Sequence, residues 1–70
     1  MKISARNVLP GKVTAIVRGP VTTEVTLEIA PGVQITSTIT SASAQSLGIK
    51  EGGKVYGVIK ASSVMIATDD

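Results

Sequence analysis

A regular alternation of apolar and polar positions runs through the stretch GPVTTEVTLEIAPG, at positions 19–32. A period of two is typical of a β-strand with one buried face. The dipeptides Gly19-Pro20 and Pro31-Gly32 are turn signals at its two ends. The positions that we expect to face the core are Val21, Thr23, Val25, Leu27 and Ile29.

The flanking segments KVTAIVR and VQITSTIT are predicted to be the antiparallel neighbours of this strand. The stretch TSASAQSLGIKEGG then predicts a short helix with Thr40 or Ser41 as N-cap and Gly48 just past its end. KVYGVIK and SVMIA predict two further strands. Five strands, with the helix between the third and the fourth, predict a mainly all-β fold, a small five-stranded barrel of the oligonucleotide-binding (OB) type. We expect residues 1–70 to form a single domain with a frayed tail at 68–70.

The N-terminal stretch KISARNVL begins like a strand but then places Ser4, Arg6 and Asn7 among apolar residues. An Asn side chain often bonds to nearby backbone groups, so we expect Asn7 to fix a turn or to bond to a neighbouring backbone. Pro10 follows shortly afterwards and lacks an N–H group, which weighs against strand pairing there. Strand formation alone therefore leaves Ser4 and Arg6 unexplained.

The composition favours strands and a small core. Val and Ile supply 17 residues and Leu three, and β-branched side chains suit a pleated sheet. Phe, Trp and Cys are absent, and Tyr56 is the sole aromatic residue. In a chain of 70 residues, the free energy gained by burying such a core is about as large as the cost of ordering the chain. We therefore expect a homo-oligomer.

Composition also weighs against several function classes. Without cysteine there is no disulfide and no thiolate metal site, and the cytoplasm is the expected location. No apolar run reaches about 18 residues, so we expect no membrane partner. Histidine, the usual acid–base catalyst, is absent, and a pair of Lys60 with Ser4 or Ser62 lacks a nucleophile elbow. We expect a protein that is not an enzyme, needs no cofactor and binds no metal directly through side chains.

Four side chains offer hydrogen-bond donors suited to a small oxyanion. Arg6 has a planar guanidinium and Lys60 a compact ammonium, while the hydroxyls of Thr40 and Ser43 flank the predicted helix N-terminus. The segments SARN, TITSAS and IKASS contain no Asp or Glu that would repel an anion. Two cations match a dianion. Simpler roles are also open, since Thr40 and Ser43 suit a helix cap and Arg6 and Lys60 suit a solvated strand edge.

Three segments, ISARN, ITSAS followed by LGIKEG, and VIKAS, together resemble the molybdate-binding domain of the molbindin family, also called molybdenum-pterin-binding proteins. The resemblance extends from position 1 to about position 67. It implies an OB-related barrel, assembled as a homohexamer (a trimer of dimers), that binds molybdate or tungstate non-covalently between subunits. The residues that it assigns to the oxyanion are Ser4, Arg6, Thr40, Ser43, Lys60 and Ala61, the last through its backbone N–H.

The function that this resemblance implies is intracellular binding of molybdate or tungstate for storage, homeostasis or delivery to molybdenum cofactor synthesis. The family also has a second kind of oxyanion site, whose residues stay unassigned in this chain. One alternative is an OB-like nucleic-acid-binding module, which the pI of about 9.3 favours. Such modules stack bases on aromatic side chains, so Tyr56 alone is a poor platform and we expect no nucleic-acid partner. Another alternative is a structural subunit whose oxyanion pocket has lost its function.

Overall fold

The computed structural model describes residues 1–69, which form four antiparallel strands, a short α-helix and a 3-10 turn. The order of strands across the sheet is β3-β2-β1-β4, so β3 and β4 are its two edges. The sheet is curled so that these edges face each other. The Ile35 side chain of β3 accordingly lies close to the Gly57 backbone of β4. The elements are β1 Asn7–Arg18, β2 Thr22–Ala30, β3 Val33–Thr40, α1 Ser41–Ser46, β4 Lys54–Ile59 and the turn Ala61–Ser63.

The central strand β2 follows the predicted alternation from Thr22 onward, but the prediction that Val21 faces the core is wrong, because Val21 precedes the strand and is 73% exposed. Thr23, Val25 and Leu27 are buried, and the polar residues between them are more exposed. β2 pairs antiparallel with both β1 and β3, as the sequence predicts. Gly32 has a φ of 74°, which the second central residue of a tight Pro-Gly turn requires. Local sequence signals therefore account for this meander.

Strand β1 is longer than the sequence indicated, because it begins at Asn7 and not at Lys12. Its first half pairs with β4 and its second half with β2. Pro10 lies in the pairing, opposite Tyr56, so the predicted disturbance of the strand there is wrong. Pairing with β2 begins only at Lys12, so Pro10 lies where β1 has one neighbour, and a missing N–H is tolerated there.

Helix α1 has the predicted ends. Thr40 is the N-cap residue, with extended backbone angles and a side chain that accepts the N–H of Ser43. Gly48 follows the C-cap residue Leu47 and has a φ of 66°, the left-handed conformation that commonly ends a helix. Among residues 1–69, no helix is long and apolar enough to cross a membrane.

The predicted fifth strand, SVMIA at 63–67, is not a strand in the structure. A strand needs a neighbour for its backbone N–H and C=O groups, and within one chain this segment has none. Val64, Met65 and Ile66 are 46%, 93% and 86% exposed. Of the tail that was predicted to fray, Thr68 and Asp69 lie outside any helix or strand, and Asp70 lies outside the described residues.

The core is small for the surface that the chain exposes. Among the residues that the structure describes, the buried apolar side chains are those of Val13, Val25, Leu27 and Ala44. The solvent-accessible surface is 5552 Å², whereas a compact monomer of 7.1 kDa is expected to expose about 4,100 Å². The radius of gyration of 13.0 Å likewise exceeds the roughly 11 Å expected for this length. The single chain therefore exposes surface that a compact monomer would bury.

Candidate functional site

The two candidate cations line one open pocket of about 550 Å³ at the end of the sheet where β1 begins and β4 ends. Arg6 and Lys60 share this pocket with Ser4 and Ala61, so four of the six predicted residues lie together. None of the lining residues that the structure describes is acidic. The pocket therefore offers two positive charges and no carboxylate to compete with an anion. We call it the cation pocket; its other lining residues are Ile3, Ala5, Val58 and Ser62.

Asn7 holds the two strands together at this pocket. It pairs with Ile59 at the last position of the β1–β4 ladder, and its Nδ2 donates a hydrogen bond to the Ile59 carbonyl oxygen at 3.1 Å. The prediction that Asn7 bonds to a neighbouring backbone is confirmed. Arg6 and Lys60 are the next residues outward from this pair, so the ladder and the Asn7 side chain set how far apart their backbones lie.

The chain turns sharply directly after Lys60. The Ser63 N–H donates to the Lys60 carbonyl at 2.8 Å, and the Val64 N–H donates to the Ala61 carbonyl at 3.3 Å. The first N–H of a helical turn has no carbonyl partner within that turn. Ala61 is the first residue of this turn, so its N–H has no partner within the turn, and Ala61 is one of the residues that line the cation pocket.

Thr40 and Ser43 form a second group of donors at the start of α1. The Thr40 Oγ1 accepts the Ser43 N–H at 3.0 Å and donates its proton to the Ser43 Oγ at 2.7 Å. Thr40 therefore has the simpler role of a helix cap, and its hydroxyl proton is already donated to Ser43 Oγ. The hydroxyl proton of Ser43 is left to donate outward, and of the two hydroxyls only Ser43 offers a donor to a ligand.

A buried hydroxyl, that of Thr23, supports this second group, although Thr23 was not among the predicted site residues. Ser41 Oγ donates to the Gly19 carbonyl at 2.6 Å, and it lies 2.8 Å from Thr23 Oγ1. Ser41 has one hydroxyl proton, so Thr23 is the donor in the second bond. Thr23 is 1% exposed, and its signal in the sequence was a polar residue at an inward position of β2. These bonds join α1 to the turn between β1 and β2.

The two groups of candidate residues lie at opposite ends of β1. Arg6 directly precedes the strand, whereas Thr40 pairs with Thr22, next to the residue that pairs with Arg18 at the far end. A strand of 12 residues spans roughly 35 Å when extended. A single chain therefore does not bring the hydroxyls to the cations. All six candidates are also exposed, namely Ser4, Arg6, Thr40, Ser43, Lys60 and Ala61.

The fold and the site together define a small binding domain. Residues 3–66 match the model of the TOBE domain, so the class of the domain is established. The chain is 54% identical over 66 residues to molybdenum-pterin-binding protein 3 of Clostridium pasteurianum, an alignment that covers 94% of this chain and 97% of the relative. The chain belongs to the molybdenum-pterin-binding protein family. The resemblance that the sequence indicated is thereby confirmed.

Solved structures support the same assignment. The fold is similar to that of MopII from Clostridium pasteurianum, with a TM-score of 0.89 and 51% identity over 96% of this chain and 100% of that one. It is also similar to a molybdate-binding protein from Sporomusa ovata, with a TM-score of 0.90 and 32% identity over 97% and 100% of the two chains. The predicted fold class is confirmed, and within one chain the barrel is half-closed.

Proposed function

We propose that this protein binds molybdate or tungstate as a tetrahedral dianion, without covalent chemistry, and stores it, buffers it or delivers it to molybdenum cofactor synthesis. The observation that carries the proposal is the cation pocket, which Arg6 and Lys60 line together with Ser4 and Ala61 and which has no acidic residue among its described lining residues. Charge-assisted hydrogen bonds to an anion are stronger than neutral ones. The similar protein from Sporomusa ovata is a molybdate-binding protein, which favours this ligand.

The complete site is proposed to lie between subunits of a homohexamer, a trimer of dimers. One copy supplies the cation pocket, and a second supplies Ser43, with Thr40 holding it in place. Two observations favour this division: the two groups lie at opposite ends of β1, and every candidate residue is exposed in the single chain. Water screens charges strongly, so a partner that excludes water would strengthen both cation–anion contacts.

The proposed protein is a cytoplasmic binding protein and not an enzyme. Its relatives are named for binding, and its own composition lacks histidine and cysteine. The nucleic-acid alternative is disfavoured, since Tyr56 is the one aromatic side chain in the sequence and base stacking needs a platform of several.

Isothermal titration calorimetry with molybdate tests the proposal. Arg6→Ala and Lys60→Ala should each weaken binding at least about tenfold, because each removes a charge-assisted bond worth about 1.5–3 kcal/mol. Lys54→Ala is the matched control, since it removes one exposed cation from β4 outside the cation pocket. Unchanged affinity in both pocket variants would contradict the assignment.

Two further measurements separate the alternatives. Sulfate is also a tetrahedral dianion at neutral pH, so affinity equal to that for molybdate would indicate a generic anion site. Fluorescence anisotropy with single-stranded DNA or RNA at physiological salt should show no binding, and binding that survives there would favour the nucleic-acid alternative.

A further inference from the structure

One polar residue is buried among those that the structure describes, and it is Thr23, which is 1% exposed. It lies in the central strand β2, where it pairs with Arg18 of β1 and Ile39 of β3. Burying a hydroxyl group costs free energy unless it forms hydrogen bonds. A valine has nearly the same volume and carries no such cost. The hydroxyl group at this position therefore calls for a role other than filling the core.

The Thr23 hydroxyl bonds to Ser41, the first residue of α1. Thr23 donates to Ser41 Oγ at 2.8 Å, because the proton of Ser41 is donated to the Gly19 carbonyl at 2.6 Å. The Ser41 N–H donates to the Val21 carbonyl at 2.8 Å. The turn that holds these carbonyls is tight, since a Cβ added at Gly19 would lie 2.6 Å from the Thr22 carbonyl oxygen. Three hydrogen bonds therefore fix Ser41 on this turn and on the start of β2.

Helix α1 depends on this anchor for its position. It has six residues, and a helix this short is not stable in water unless tertiary contacts hold it. Its buried residue is Ala44, whose side chain is a single methyl group. The hydrogen bonds of Ser41 are therefore a large part of what holds α1 on the sheet.

Ser41 lies between the two hydroxyl residues of the candidate site. Thr40 directly precedes it, and Ser43 follows two residues later and is bonded to Thr40. The short helix carries these hydroxyls as one unit, so the position of Ser41 sets the direction in which Ser43 donates. A binding group must be held within about 0.5 Å of its productive position to be effective.

We propose that Thr23 is a positioning residue of the oxyanion site, which acts through Ser41 and α1 on the Ser43 hydroxyl. The inference rests on the proposed function, because it takes Ser43 as a donor to the bound anion. Thr23 itself is too deeply buried to contact an anion. It holds the start of α1 in place before the anion arrives, so less conformational entropy is lost on binding.

Two substitutions at Thr23 separate its hydroxyl group from its volume. Thr23→Val removes the hydroxyl and keeps the volume, so molybdate affinity measured by calorimetry should fall about threefold or more. Thr23→Ser keeps the hydroxyl and leaves a methyl-sized cavity, so it should lower stability but keep wild-type affinity. A merely structural role would make affinity follow stability in both variants. Wild-type affinity in Thr23→Val overturns the proposal, as does an equal loss of affinity in Thr23→Ser.

A double-mutant cycle shows whether Thr23 acts through Ser43. In a Ser43→Ala background, Thr23→Val should weaken molybdate binding no further, since the donor that Thr23 positions is already absent. In an Arg6→Ala background, where the change lies in the cation pocket, Thr23→Val should keep its full effect. Equal effects of Thr23→Val in the wild-type and Ser43→Ala backgrounds contradict the inference. If Thr23→Val does not fold, Ser41→Ala removes both hydroxyl bonds and takes its place in the cycle with the same outcomes.

Amide hydrogen exchange without molybdate separates failure of this inference from failure of the proposed function. The Leu47 N–H donates to the Ser43 carbonyl at 2.9 Å, so its exchange reports on α1. Thr23→Val should speed exchange at Leu47 by a larger factor than at the amides of the β1–β4 ladder. The same factor at both places overturns the inference. Wild-type protein that binds no molybdate, together with the expected exchange, refutes the proposed function and leaves the hold of Thr23 on α1 standing.

Discussion

At the scale of single residues, Asn7 shows how one side-chain hydrogen bond to the backbone can shape a pocket beside it. Its hydrogen bond to the Ile59 carbonyl closes the β1–β4 ladder one residue before Arg6 and Lys60. Two like charges that are held close together repel each other, and the strand ends would separate if nothing tied them. Asn7 therefore helps to hold the cations in position before an anion arrives.

Replacing Asn7 with Asp tests this role. The carboxylate cannot donate to the Ile59 carbonyl, so the free energy of unfolding should fall by about 1 kcal/mol. Its negative charge beside Arg6 should also weaken molybdate binding. Asn7→Ala is the control that removes the bond without adding charge, and it should lose similar stability but less affinity. Urea denaturation and calorimetry measure the two effects, and equal affinity in the Asp and Ala variants would refute the electrostatic part.

Thr40 and Ser43 should separate stability from binding. Thr40→Ala removes the helix cap and should lower the free energy of unfolding by about 1 kcal/mol, while Thr40→Ser keeps the cap and should change it little. Ser43→Ala leaves the Ser43 N–H to Thr40 bond in place but removes the outward donor, so molybdate affinity should fall with little loss of stability. Thermal melts and calorimetry at one protein concentration compare the variants. A Ser43→Ala protein with wild-type affinity would remove Ser43 from the site.

At the scale of elements, the sequence predicts those whose signals are local. The alternation of β2, the Pro31-Gly32 turn, the Thr40 cap and Gly48 each act within a few residues, and the structure has all of them where predicted. The early start of β1 was missed because it depends on β4, about 50 residues later in the chain. Pro10 looked unfavourable for the same reason, since the sequence does not say on which side a strand lacks a neighbour.

For the candidate site, too, the sequence predicts the local features and the structure supplies the long-range ones. Residue types and the absence of acidic neighbours identified the donors, and the structure brings Ser4, Arg6, Lys60 and Ala61 together. Sequence spacing does not say at which end of a sheet a residue lies. Only the ladder places the hydroxyls at the other end of β1 from the cations.

Gly57 of the edge strand β4 lies against the side chain of Ile35 from the other edge strand, β3. A Cβ added there would lie 2.7 Å from Ile35 Cδ1 and 3.3 Å from Leu27 Cδ1. Gly57→Ala should therefore lower the free energy of unfolding by about 1–3 kcal/mol through overpacking. Ile35→Val removes the Cδ1 atom, so the double variant should recover part of that loss in a denaturation cycle. Simple additivity of the two changes would show that this contact is not the cause.

At the scale of the whole molecule, the exposed surface is large relative to the buried apolar core. Four buried apolar side chains among the described residues support a chain that exposes 5552 Å². A folded state with so small a core is marginal on its own, and mass action then ties its stability to protein concentration. Assembly and folding of this protein are therefore expected to be one coupled process.

The distance between the two groups of donors along β1 has a consequence for mixed populations of subunits. If each site takes its cations from one chain and its Ser43 from another, Lys60→Ala and Ser43→Ala damage different halves of the site. Refolding the two variants together should produce hybrid assemblies in which some sites pair two intact halves. Calorimetry of the mixture should then show sites of wild-type affinity that neither variant has alone.

Mixing Lys60→Ala with Arg6→Ala is the control that should restore none, because both changes lie in the same half. Subunits of this kind complement one another, so two diverging copies of such a chain can share a function that neither retains by itself.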